Sequence, residues 1–101
     1  MLYLVESHPS MLRGNTIDSA EGPGPEFAKI FERFKPEAVY GNPSRRQTFM
    51  VVSLETPAQM TELMYALTWL VGTEPTFTPV MKFETYGEGI TNAKRLVSPP
   101  E

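Results

Sequence analysis

Two short apolar runs restrict the possible folds of this chain more than any other feature of its sequence. Met1 to Val5 and Phe49 to Val52 show neither the alternation of a half-exposed strand nor the period of a helix. Runs of this length and composition are typical of strands that are buried on both faces. We therefore predict two central strands, strand 1 over residues 2–6 and strand 3 over residues 47–54.

A first helix is predicted over residues 25–35. Pro25 suits the first turn of a helix. Pro36 ends the helix, because its ring clashes with a continuing helix and its nitrogen has no hydrogen to donate. Between the two prolines an apolar stripe repeats with helical spacing at Phe27, Ile30, Phe31 and Phe34.

A second helix is predicted over residues 57–71, and its ends are marked more strongly than any others in the chain. Thr56, Pro57 and Gln59 form a capping box with proline at the first helical position. Gly72 can take the left-handed conformation that ends a helix. The apolar stripe between these ends consists of Met60, Leu63, Met64, Leu67 and Leu70.

A hairpin and a fourth strand complete the predicted sheet. Turn-forming residues 41–46 separate strand 2, over residues 37–40, from strand 3. Strand 4 is predicted over residues 76–83, where polar and apolar residues alternate for most of the length. Because Pro79 lacks the hydrogen that a sheet ladder needs, we expect strand 4 at an edge of the sheet.

We expect one folded domain over residues 1–84 and a C-terminal tail over residues 85–101. Residues 8–24 are rich in turn formers and are predicted to form a long loop. The tail contains glycine, asparagine and proline, with room for a short helix near residues 92–97.

The predicted order of elements is strand, helix, strand, strand, helix, strand, which is that of the ferredoxin-like βαββαβ fold in the α+β class. Right-handed crossovers then give a four-stranded antiparallel sheet in the order 4, 1, 3, 2, with two helices on one face. The other face would carry one alternate set of apolar residues, drawn from Tyr3, Val5, Phe49, Val51 and their neighbours. Such a patch is larger than monomers usually expose, so we expect a homodimer.

The composition excludes several classes of protein. At 101 residues the chain has the size of one domain. A formal charge of -3, with scattered basic residues, argues against nucleic acid and anionic membrane as partners. With no cysteine and one histidine, we expect neither disulfides nor a metal site, and the reducing cytoplasm is the expected location. Because Glu6 interrupts the apolar start and no basic region precedes it, we expect no signal peptide. The glycines at 22–24 and 87–89 lack the context of a phosphate loop, so we expect no cofactor.

Three short segments, Met1 to Val5, Thr56-Pro57 and Phe77-Thr78-Pro79-Val80, resemble the dimeric α+β barrel superfamily, and within it small bacterial proteins of unassigned activity that begin with a similar Met-Leu-Tyr-Leu-Val strand. The likeness extends over roughly residues 1–83. Relatives in this superfamily include muconolactone isomerase and cofactor-free monooxygenases. The resemblance therefore implies that small hydrophobic or aromatic compounds bind between sheet and helices, although none of the catalytic motifs of those enzymes is matched.

The predicted topology places the end of strand 1, the hairpin, the start of helix 1 and the end of helix 2 at one end of the sheet. Five candidate site residues gather there: His8, Tyr40, Arg45, Arg46 and Trp69. Two guanidinium groups can hold an anion through bidentate hydrogen bonds, and His8 is a weak candidate for a catalytic proton carrier near neutral pH. In the simpler interpretation His8 is an ordinary loop residue, the arginines are solvated and Trp69 packs in the core.

These features leave two functions open. One is a small-molecule binding protein or a cofactor-free enzyme, with a pocket for a hydrophobic or anionic molecule between sheet and helices. The other is a non-catalytic module for oligomer assembly or protein interaction. A closed apolar pocket with polar groups reaching into it favours the first, and a filled core favours the second.

Overall fold

The computed structural model describes residues 1–19 and 24–100 of the chain. In chain order the elements are β1 (Leu2–Ser7), α1 (Met11–Ser19), α2 (Gly24–Phe34), β2 (Ala38–Gly41), β3 (Thr48–Ser53), α3 (Pro57–Val71), β4 (Thr76–Val80) and α4 (Phe83–Leu96). No helix within the described ranges combines the length and the apolar character that a membrane crossing requires.

The four strands form one antiparallel sheet in the order β2-β3-β1-β4. Read from the opposite edge, this order is 4, 1, 3, 2. Val5 of β1 is the partner of Met50 in β3 and of Phe77 in β4, so β1 is paired on both sides. The predicted α+β class, the central position of β1 and β3 and the edge position of β4 are confirmed, and the arrangement is compatible with a ferredoxin-like fold.

The hydrophobic core lies between one face of this sheet and the helices. Successive side chains of a strand point to opposite faces, so every second residue of a central strand faces the core. Val5, Met50 and Val52 are buried on this face. Leu63 and Leu67 of α3 belong to the same cluster and are 0% exposed, which makes α3 the main cover of the sheet.

The opposite face of the sheet carries the alternate side chains, and we call it the open sheet face. Its apolar members are all at least partly exposed: Leu2, Leu4, Ala38, Tyr40, Phe49, Val51 and Val80. The expectation for Phe49 and Val51 is thus met. The expectation that Tyr3 and Val5 belong to an uncovered face is wrong, because the odd-numbered residues of β1 point toward the helices and pack in the core.

The ends of α3 follow the sequence signals that predicted them. The Thr56 hydroxyl accepts a hydrogen bond from the Gln59 amide at 3.1 Å, and the Gln59 side chain accepts one from the Glu55 amide at 2.7 Å. At the other end Gly72 has φ +83°, in the left-handed region, and its amide donates to the Thr68 carbonyl. The predicted range of 57–71 is confirmed without change.

The helix α2 lies one residue earlier than the predicted range of 25–35. Ile30 is buried, and the three phenylalanines of its stripe pack against the core. Its Arg33 guanidinium donates to Glu62 of α3 at 2.9 Å. The pKa of Arg33 is raised above its ordinary value. The larger cause is the hydrogen bond to Glu62, and the second is the negative charge of the same carboxylate. Because this pair is exposed, we expect it to contribute little to stability.

The prediction that residues 8–24 form a long loop is wrong in its central part, because these residues include the nine-residue helix α1. Residues 20–23 of the predicted loop lie outside the described residues. The sequence of α1 contains glycine, asparagine, threonine and aspartate, which have low intrinsic helix propensity. Local preference alone therefore does not account for this helix.

Contacts with the end of α3 hold α1 in place. The Ser10 amide donates to the Val71 carbonyl at 2.8 Å, and the Ser10 hydroxyl accepts from the Arg13 amide at 3.2 Å. The Arg13 guanidinium donates to the Leu70 carbonyl at 2.9 and 3.1 Å. These bonds give the last carbonyls of α3 partners that a helix end otherwise lacks.

The tail also differs from its prediction. In place of a short helix near residues 92–97, the fourteen-residue helix α4 begins at Phe83. Correspondingly, β4 ends at Val80 and not at residue 83. None of the residues of α4 is buried in the described chain.

Candidate functional site

A cavity lies where the end of β1, α1, the β2–β3 hairpin, the start of α2 and the end of α3 meet, and we call it the α1 cavity. Its volume is about 250 Å³. The apolar part of its wall is formed by Pro9, Ile17, Phe27 and Val71, with Gly14 beside them. Its polar residues are Ser7, Asp18, Arg45, Arg46, Gln47 and Thr48.

The sheet register and the docking of α1 explain why these segments meet. Ser7 and Thr48 are partners at the end of the β1–β3 ladder, so the hairpin lies directly beside the end of β1. The bonds between α1 and the end of α3 close the opposite side. The four segments that the predicted topology brings to one end of the sheet all contribute to this wall.

Ser7 is the buried polar residue of the cavity wall. Its side chain is 4% exposed, and its hydroxyl has no hydrogen-bond partner in the described part of the chain. Buried hydroxyl groups are normally paired, because an unpaired one costs about 1–3 kcal/mol. The hydroxyl itself exposes less than 1 Å², so a donor or acceptor in the cavity reaches it once the wall shifts slightly.

Arg46 lines the cavity, and its charge is already neutralised. Its guanidinium lies 2.8 Å from the Asp18 carboxylate and donates to the Asn15 side chain at 3.1 Å. Gly14 leaves the space for this crossing, since a Cβ there would lie 2.6 Å from Nη1 of Arg46. We conclude that Arg46 attaches the hairpin to α1, and that Asp18 reduces its capacity to bind a further anion.

Of the two hairpin arginines, Arg45 is the one whose charge is not neutralised by a carboxylate of the described chain. It is exposed on the hairpin and contributes to the cavity wall, and it has no ion-pair partner among residues 1–19 and 24–100. Asn42 orders the hairpin: its amide donates to the Gln47 carbonyl at 2.9 Å, and its side chain accepts from the Ser44 amide at 3.0 Å. The position of Arg45 is therefore held by the backbone of the turn.

The other three predicted site residues lie away from the cavity wall. His8 is exposed, and its backbone carbonyl accepts a hydrogen bond from the Thr73 hydroxyl. Tyr40 is exposed on the open sheet face. Trp69 is exposed on α3, with its ring centroid 5.4 Å from that of Tyr65, so it does not pack in the core. The structure brings Arg45 and Arg46 together and leaves these three elsewhere.

Sequence reasoning missed Ser7 and the apolar wall of the cavity. A signal for Ser7 was present, because it continues the inward-facing series of Tyr3 and Val5 in β1. A polar residue at such a position predicts a buried hydroxyl that needs a partner. The contribution of Ile17 was hidden, since α1 itself was not predicted.

The chemistry that this arrangement offers is binding. An apolar wall, one buried hydroxyl and one exposed guanidinium can hold a small molecule that has an apolar body and a polar end. Within the described ranges, no three histidine, aspartate or glutamate side chains lie close enough together to form a metal site.

Comparisons with known proteins identify no family for this chain, so its function is inferred from the geometry of the α1 cavity. The chain matches no protein-family model, and no curated protein matches it significantly.

Proposed function

We propose that this protein binds a small, mainly apolar molecule with an anionic or hydrogen-bonding end in the α1 cavity. The observation that carries the proposal is the Ser7 hydroxyl, which is buried in the cavity wall without a partner in the described chain. The hydroxyl exposes less than 1 Å² of surface, so a polar group of a ligand pairs with it only after a small shift of the wall, and that contact would remove the cost of the unpaired hydroxyl. The charge of Arg45 in the same wall favours an anionic group.

The size of the cavity limits the ligand to a small molecule. An engineered cavity of about 150 Å³ holds benzene. The α1 cavity has about 250 Å³, enough for an aromatic ring or a short alkyl chain with one polar substituent. Ile17, Phe27 and Val71 supply the apolar contacts for that body. Small aromatic and aliphatic carboxylates are therefore the proposed class.

Matched pairs of acids and alcohols test the charge preference. The full chain is titrated with benzoate and benzyl alcohol, and with hexanoate and hexanol, using ligand-detected NMR. We expect the acids to bind more tightly, and Arg45→Ala to weaken their binding roughly tenfold while leaving the alcohols unchanged. Arg95→Ala removes the same charge from exposed α4 and should change neither. Equal binding of acid and alcohol would contradict an anionic ligand.

Ser7→Ala tests the hydroxyl separately. If Ser7 is reserved for a ligand, this substitution leaves the stability of the unliganded protein unchanged or raises it, by up to about 1 kcal/mol, while weakening ligand binding. Urea denaturation and the same titrations measure both effects. If stability falls and affinity is unchanged, the hydroxyl has a structural partner and the proposal loses its main support.

We further propose that the protein is a homodimer of the dimeric α+β barrel type, with two open sheet faces packed together. The apolar side chains of this face support the proposal, because burying them is favourable and the helices of the described chain leave them partly exposed. Leu4 lies at the centre, between Val51 and Thr78 on neighbouring strands.

Light scattering tests the dimer. We expect a dimer at micromolar concentration, and a shift toward monomer for Leu4→Asp, which places a charge in the proposed contact. Thr61→Asp, on the exposed face of α3, is the control and should stay dimeric. A monomeric wild-type protein would overturn the homodimer. If the protein is dimeric but binds no ligand, the non-catalytic assembly module becomes the better description.

A further inference from the structure

The helix α4 carries an apolar stripe that no part of the described chain covers. Its members follow helical spacing along one side, and we call them the α4 stripe: Phe83, Tyr86, Ile90 and Ala93, with the extended C-cap residue Val97 after them. Phe83 is 83% exposed, and the other large members are exposed as well. Polar residues such as Glu88 and Asn92 lie on the opposite side.

The dimensions of the molecule show that α4 extends away from the rest of the described chain, residues 1–19 and 24–82, which we call the body. The radius of gyration is 17.3 Å and the longest dimension is 57 Å. A compact domain of about 100 residues has a radius of gyration near 13 Å. The core cluster contains no residue of α4, so this helix packs outside the core and accounts for the excess length.

A helix in this position needs a cover to be stable. Isolated helices shorter than about 12–15 residues are marginal in water, and interior glycines destabilise a helix further. The fourteen residues of α4 include Gly87 and Gly89. The N-cap residue Lys82 makes no capping hydrogen bond through its side chain. Glu84 in the first turn and Lys94 and Arg95 in the last turn favour the helix dipole only weakly, so packing of the α4 stripe is the main further source of stability.

The α4 stripe adjoins the open sheet face. Only Met81 and Lys82 separate β4 from α4, so the first turn of the helix stays beside the edge strand. Val80 belongs to the open sheet face, and it lines one groove together with Phe83 and Tyr86. A partner that covers the open sheet face therefore meets the α4 stripe at the same border.

The area of the open sheet face also calls for an additional contact. Four strands about 4.8 Å apart and four to six residues long cover a flat projection of roughly 350 Å², which is a lower bound on the accessible area of this face. A standard interface buries about 800 Å² per partner. If two subunits exchange their α4 helices, each contributes its own stripe and the surface under the other stripe, roughly 400 Å² more. The combined contact then approaches the standard size.

We propose that α4 is an exchange arm, whose stripe packs on a second copy of this chain next to the joined sheet faces. The inference rests on the proposed homodimer and adds a second contact to it. In a two-fold symmetric dimer the exchange is reciprocal, so both arms are covered by one association.

A pair of substitutions two residues apart tests the arm. Ile90→Asp puts a charge into the α4 stripe, and Asn92→Asp adds the same charge on the opposite side of the same helix. Analytical ultracentrifugation of the full chain should show that Ile90→Asp weakens the dimer by roughly tenfold or more, because a charge is costly in an apolar contact. Asn92→Asp should change the dissociation constant by less than about twofold.

The outcomes separate the arm from the dimer. If wild type is dimeric and Ile90→Asp has no effect, the arm is overturned and the homodimer stands. If wild type is monomeric, the homodimer fails and the arm fails with it. Hydrogen exchange of wild-type α4 amides gives an independent measurement: we expect protection that rises with protein concentration, and exchange at the rate of an unfolded peptide at every concentration would overturn the arm.

Discussion

The helices α3 and α4 have nearly the same length, 15 and 14 residues, and opposite situations. Both have apolar residues at helical spacing. The first has a side-chain cap at its start and a left-handed glycine at its end, and it buries four residues against the sheet. The second buries none in the described chain. Apolar residues at helical spacing therefore do not by themselves make a helix part of the core. The helix must also have a surface of the protein to cover, as α3 has and α4 has not in the described chain.

On this basis we distinguish the body, which contains α3, from α4, the proposed arm. Substitutions in α3 should change the free energy of unfolding of the body, whereas the same substitutions in α4 should have little effect on it. The pairs of substitutions below test this division, and each compares one chemical change at two places.

The largest contrast is expected for leucine to alanine. Leu67 of α3 is 0% exposed and Leu96 of α4 is 85% exposed. Leu67→Ala leaves a cavity in the core and should lower the free energy of unfolding by about 3 kcal/mol. Leu96→Ala should change it by less than about 0.5 kcal/mol. Urea denaturation followed by circular dichroism measures both, and comparable losses would show that α4 is part of the body.

A smaller loss is expected at the end of α3. Gly72→Ala places a Cβ in the left-handed region, at 2.7 Å from Oγ of Ser10 and 2.8 Å from Cγ of Arg13. Strain and displacement of α1 should together cost about 2 kcal/mol. Because α1 forms a wall of the α1 cavity, ligand binding should weaken too. Thermal unfolding and the acid titrations check the two effects, and an unchanged melting temperature would contradict the assigned conformation.

The cap of α3 gives the next effect. Thr56→Ala removes the acceptor for the Gln59 amide and should lower stability by about 1 kcal/mol. Thr91→Ala is the matched change in the exposed interior of α4, where alanine has the better helix propensity, so it should not destabilise. Chemical denaturation measures the free energy of unfolding of both variants. A larger loss for Thr91→Ala than for Thr56→Ala would refute the comparison.

The two helices also show which parts of the fold can be predicted from sequence. The ends of α3 depend on local signals, Thr56 with Pro57 at one end and Gly72 at the other, and they were predicted to the residue. The helix α1 depends on bonds from Arg13 to Leu70, residues far apart in sequence, so the local composition of residues 8–24 predicts a loop in its place. For α4 the stripe was present, but its glycines and the following prolines indicated turns.

The same distinction applies to the candidate site. Arg45 and Arg46 were predicted because charges on a hairpin stand out in any sequence, and both line the α1 cavity. The pairing of Arg46 with Asp18 could not be predicted, since it requires α1 to lie against the hairpin. The inward position of Ser7 follows from the alternation of β1, but the cavity beside it is formed by segments far apart in sequence and became visible only with the tertiary structure.

The smallest effect is expected from Gly89→Ala in α4, which is the counterpart of Gly72→Ala. A Cβ at Gly89 meets no atom within 4 Å, and alanine favours a helix interior by about 1 kcal/mol. The change should therefore raise helix content, measured by circular dichroism, and alter the stability of the body by less than about 0.5 kcal/mol. In the proposed dimer it should strengthen association slightly, because less helix order remains to be gained on binding. A loss of stability would mean that Gly89 makes a close contact with the partner subunit, which would place the contact of the arm on the side of α4 away from Ile90.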